Sequence, residues 1–173
     1  MLTDRVMSTA GRAAAMVLGA ALITVGLSGC LGSGPQPFAA AEVRDAFRRA
    51  AESYGTFASH YSTRETLRIA LDFGLAPTPS IEGLTVAELD RYPLRSGQPM
   101  LYRTDPDALA IHVIAWGYEQ LQGFGGSSSA YAHACATLTA TPGSTEVSIE
   151  KEDCPEPVQT GIASHTGTAV DPT

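Results

Sequence analysis

The stretch AYAHACATLTATPGSTEVSIEKEDC, residues 130–154, decides how this chain is read. Ala134, Ala136, Leu138 and Ala140 alternate with Thr137, Thr139 and Thr141. Beyond Pro142 the alternation resumes, Val147 and Ile149 against Ser148, Glu150 and Glu152. A period of two on both sides of turn-forming residues is the pattern of an antiparallel hairpin with one apolar and one polar face. The turn is expected on Gly143-Ser144-Thr145-Glu146.

Working outward, Met100-Leu101-Tyr102-Arg103 and Ala108 to Tyr118 flank Thr104-Asp105-Pro106-Asp107. Their β-branched and aromatic content favours two more strands, with a helix capped at Asp105 as the alternative. Residues 122–129 hold Gly123, Gly125, Gly126 and three serines and predict a flexible loop. They lack the Lys and the strand-to-helix context of a phosphate-binding loop. Towards the N-terminus, Val43, Phe47, Ala50, Tyr54, Phe57 and Tyr61 recur at alternating spacings of four and three, so an amphipathic helix is expected from Ala39. Gly55 marks a kink or an early end. Ser62-Thr63-Arg64-Glu65 has capping-box form and predicts a helix through Phe73, although residues 67–73 also alternate as a strand would. Thr85-Val86-Ala87-Glu88 repeats the box ahead of a short helix in an otherwise connecting span, 74–98. The tail after Cys154 is rich in Pro, Thr, Ser and Gly and is expected to be disordered. The fold class is therefore α+β: N-terminal amphipathic helices packed on a small antiparallel β-sheet. In outline this resembles pilin-like and cystatin-like domains, a resemblance of architecture that implies no activity.

The first thirty residues read as an address. Arg5 and Arg12 precede an uncharged run, Ala13 to Leu27, which ends in Leu27-Ser28-Gly29-Cys30. This resembles the lipobox signal of bacterial lipoproteins at all four positions: an aliphatic residue, two small ones, then the cysteine. The resemblance implies cleavage before Cys30 and a covalent diacylglyceryl group, with an N-acyl (palmitate-type) chain, on that residue. Two or more chains suffice as the sole membrane anchor. Ala39-Ala40-Ala41 offers a rival cleavage site, and a retained membrane helix would need about 20 apolar residues. The resulting division is 1–29 signal peptide, 30–38 lipidated cysteine and linker, 39–157 a single α+β domain, and 158–173 tail. Its location would be the outer face of the cell membrane, or the outer membrane if the host has two.

With Cys30 used for lipid, an exported chain retains two cysteines, and such a pair reads as one bridge, Cys135–Cys154. If the two face each other directly, Leu138 faces Lys151 and Ala140 faces Ile149, and the bridge lies on the more polar face. A loop of this length is worth roughly 3 kcal/mol.

The net charge of −7 argues against nucleic acid as a partner. No Cys-x-x-Cys or paired-His motif suggests zinc, and neither Gly-x-Ser-x-Gly nor Ser-x-x-Lys occurs. No metal, no catalysis and no cofactor beyond the lipid on Cys30 are expected. If the strand at 108–118 neighbours the hairpin, Leu109, Ile111, Val113 and Ala115 meet its alanine-rich face and the helices. The opposite face collects His112, Trp116, Tyr118, Tyr131 and His133 beside the disulfide. Amphipathic rings of this kind suit a binding surface. The expected function is a non-catalytic, membrane-anchored envelope protein with an envelope protein as its partner, or a small-ligand binder using a pocket near His112, Trp116 and Tyr118.

Overall fold

Twenty-four residues, Gln36–Ser59, form the helix α1 that organises the molecule, and its inner face carries Val43, Phe47, Ala50, Tyr54 and Ala58, all buried. The computed structural model describes residues 34–93, 95–123, 126–161 and 167–173, and Pro35–Thr173 form one compact unit. The signal, the lipobox and Cys30 lie outside the described residues. Among the described residues three further helices follow: α2 (Arg64–Asp72), α3 (Val86–Leu89) and α4 (Glu156–Gly161). The strands are β1 (Met100–Asp105), β2 (Ala110–Gly123), β3 (Gly126–Ala140), β4 (Val147–Glu152) and β5 (Thr168–Ala169). Among the described residues no helix is long and apolar enough to cross a membrane.

The protein is thus α+β with a sheet of five strands. Strands β1 to β4 run antiparallel in sequence order, and β5 joins β3 in parallel, so the sheet is mixed where an antiparallel one was expected. The reason is local. Strand β4 stops opposite Cys135, which leaves the edge of β3 open, and Thr168 and Ala169 pair with Ala132 and His133 there. The tail expected to be disordered is therefore ordered in part, as α4 and β5.

Helix α1 starts at Gln36, inside the segment expected to be linker, because Pro35 and Pro37 are tolerated in a first helical turn. Gly55 does not end it, since the helix continues to Ser59. A side chain there would overlap the carbonyl oxygen of Thr145 in the β3–β4 turn, just as one at Gly117 would overlap that of Ala39. Glycine at these two points lets the helix sit against the turn at one end and on β2 at the other. Between them, small residues of the sheet, Ala115, Ala132, Ala134, Ala136 and Ala140, leave room for Phe47 and Tyr54. Burying each such ring contributes about 1.5–3 kcal/mol.

Residues 64–72 are helical, with the cap one position later than expected: Thr63 accepts from the Thr66 amide. Thr85 and Glu88 form the expected box. The Gly/Ser stretch is mostly ladder, pairing continuing through Gln120–Ser129 to Gly123–Gly126. Residues 100–105 and 110–123 are strands rather than a helix capped at Asp105, whose carboxylate instead accepts from the Ala108 amide and tightens the turn.

The hairpin register differs by two residues from direct Cys–Cys opposition. Cys135 faces Glu152, and Leu138 faces Ile149. The disulfide Cys135–Cys154 forms because Cys154, two residues past the end of β4, folds back over β3, with the Cα atoms 5.2 Å apart. A slip of two keeps every side chain on its face. The loop Thr141–Glu146 turns at Pro142-Gly143, where Gly143 has φ +75°, one residue ahead of the expected tetrapeptide.

Candidate functional site

The sheet has two buried faces. One packs on α1. The other carries a smaller core, in which Met100, Ile114, Trp116 and Cys135 meet Ile81, Leu89 and Val158. The five residues expected to form a binding surface all lie on or beside this second face. Trp116 sits opposite His133 and Tyr118 opposite Tyr131, with the two tyrosine rings 4.7 Å apart. The covering segments bury most of them: His112 is 5% exposed, Trp116 6% and His133 9%. Only Tyr118 and Tyr131 stay half-buried. The covering is made by residues around Ile81, by α3 and by α4, the ordered helix of the C-terminal tail. The disulfide lies on this face, as the alternation predicts, yet Cys135 is buried in apolar surroundings rather than on a polar surface.

Around His112 the structure assembles a polar cluster. Its Nδ1 lies 3.0 Å from both carboxylate oxygens of Glu152 and 3.1 Å from the hydroxyl of Thr137. Glu152 also accepts from Tyr102 and Thr137. One guanidinium nitrogen of Arg103 lies 2.9 Å from Nε2 and 3.1 Å from Nδ1, so it meets both ring nitrogens. A β-bulge produces this convergence. Leu101 pairs with Val113 and Arg103 with His112, so Tyr102 is the extra residue, and both Tyr102 and Arg103 meet His112. Burial, and then the Glu152 carboxylate, push the Tyr102 hydroxyl well above the usual tyrosine range.

These contacts decide what the cluster can do. A nucleophile–imidazole–carboxylate relay needs its two partners on different ring nitrogens. Here Thr137 and Glu152 both meet Nδ1, and the one group within reach of Nε2 is the Arg103 guanidinium, which has no proton to give up at neutral pH and lies close to Nδ1 too. The arrangement is a chain of donors ending on a satisfied carboxylate, which positions Arg103.

Beside it lies a cleft of about 250 Å3, walled by Ile81, Leu84, Leu89 and Val158 and reached by Tyr102 and Arg103. Among the described residues no group of three or more His, Cys, Asp or Glu is placed to hold a metal ion. Sequence reasoning brought His112 to this face and missed Tyr102 and Arg103, because a bulge leaves no mark in the alternation of a four-residue run. Thr137 and Glu152 were legible as neighbours, since both belong to the polar face of the hairpin that adjoins His112.

Comparison with known proteins finds no family model, no curated protein and no solved structure that matches this chain.

Proposed function

We propose that this protein is an extracytoplasmic lipoprotein: a non-catalytic domain held at the membrane through acylated Cys30, meeting a protein partner of the envelope. The observation that carries this reading is the Cys135–Cys154 disulfide. Disulfides persist in oxidising compartments, and this one uses two of the three cysteines, leaving Cys30 alone within Leu27-Ser28-Gly29-Cys30. The half-buried pair Tyr118 and Tyr131 is the part of the expected surface still open to a partner.

The test is mass spectrometry of the mature N-terminus together with membrane fractionation. An acylated Cys30 and release of Cys30→Ser from the membrane fraction are expected. An unmodified N-terminus at Glu42 would sink the proposal. Crosslinking in the native host, with Tyr118→Ala and Tyr131→Ala as controls, then identifies the partner.

A second reading, small-ligand binding near His112, Trp116 and Tyr118, is favoured by the cleft on the same face.

A further inference from the structure

Three features of the second face converge on one place. The cleft has apolar walls from three separate segments, Ile81 and Leu84 before α3, Leu89 at its end, and Val158 in α4. At about 250 Å3 it holds a molecule of roughly eight to ten non-hydrogen atoms, at about 30 Å3 for each water-sized group. Arg103 reaches this cleft, and its position is set by the bulge and by the His112 ring, both of whose nitrogens lie within 3.1 Å of one guanidinium nitrogen. Among the described residues the ion pairs are Arg48–Asp45, Arg68–Glu65, Arg68–Asp72 and His112–Glu152, so Arg103 has no carboxylate within 4.0 Å. One of its guanidinium nitrogens is engaged by His112, and a guanidinium fork matches a carboxylate in two-point geometry.

We infer that this cleft binds a small amphipathic monocarboxylate, with its apolar body against Ile81, Leu84, Leu89 and Val158 and its carboxylate on Arg103. The inference rests on the small-ligand reading and is independent of the membrane anchor. The Glu152 carboxylate already sits against His112 beside Arg103, and the chain as a whole is acidic, so a single negative charge fits better than a polyanion. The role of the cluster is then to present Arg103 in one orientation, which lowers the ordering cost of binding.

Trp116 is the only tryptophan and packs in the same core as the cleft walls, so its emission reports on occupancy. The experiment titrates the full-length protein with phenylacetate, phenylacetamide and acetate. A saturable change with phenylacetate is expected, with the neutral amide and the bodiless acetate each at least about tenfold weaker. Arg103→Gln should weaken phenylacetate about 10- to 100-fold, the range of a lost charge-assisted pair, with its melting temperature unchanged. Arg103→Lys should restore part of the affinity. Equal binding of acid and amide, or an unaltered Arg103→Gln, would overturn the carboxylate assignment while leaving a neutral-ligand pocket standing. No saturable response to either aromatic probe would overturn the inference and the small-ligand reading together.

Discussion

Tyr54 and Tyr102 show how far single side chains depart from their behaviour in water. Tyr54 lies in the main core and donates to the Leu109 carbonyl at 2.9 Å, and burial raises its ionisation above the usual tyrosine range. Tyr102 is raised by burial and by Glu152. A raised acid group stabilises the fold fully below its unfolded pKa, about 10, and that contribution is lost as pH rises further. Of the six tyrosines, these two should therefore appear in a spectrophotometric titration at 295 nm only together with alkaline unfolding. Glu88 shifts the other way. Hydrogen bonds from the Thr85 amide and hydroxyl hold its carboxyl below the ordinary range. Its contribution is present above an unfolded pKa of about 4.3 and disappears as pH falls. Glu88→Gln should melt slightly below the parent at pH 7, and the two should converge at pH 3. The Thr85–Glu88 box was readable from four letters because a cap is local chemistry. The Tyr54–Leu109 bond joins residues 55 apart, and no local pattern carries it.

Among elements, the β3–β4 hairpin was legible in its faces and not in its register. Alternation specifies parity strongly and longitudinal position weakly, so placing Cys135 opposite Cys154 was wrong by two residues while every face assignment held. The observed geometry gives the bridge a specific job: it pins the chain where it leaves β4 and starts α4, the helix that supplies Val158 to the second core. Replacing both cysteines, Cys135→Ala with Cys154→Ala, should cost roughly 3 kcal/mol by loop closure over 19 residues, read as a lower urea midpoint. The lengths of β2 and β3 escaped the sequence reading because Gly123, Gly126 and three serines resemble a loop. Pairing with a partner strand overrides that propensity.

At the scale of the whole molecule, one sheet serves two cores of unequal size. The first is covered by α1, of 24 residues, with Leu67 and Leu71 of α2 beside it, the second by helices of four and six. Short helices draw their stability from tertiary contacts alone, so the second layer should open more readily than the first. Native-state hydrogen exchange should show amides of α3 and α4 exchanging well before those of α1, β2 and β3, and reduction of the disulfide should widen the gap. The α1 side of this plan could be read in advance, from a helix stripe and an alanine-rich strand face. The second layer could not, since Ile81, Leu84, Leu89 and Val158 stand among turn residues with no period to reveal them. The two glycine contacts of α1 also work as a ruler. Ala39 is gauged against Gly117 and Gly55 against Thr145, so the sixteen steps of helix between residues 39 and 55 must match a fixed span of sheet. One inserted residue would advance the far mark by about 1.5 Å and rotate it by about 100°. An alanine inserted after Arg49 should therefore abolish cooperative thermal unfolding, while one inserted after Gly34, outside the gauged span, should leave it intact. The spacing between these two marks, rather than the length of the helix as a whole, is what the sheet fixes.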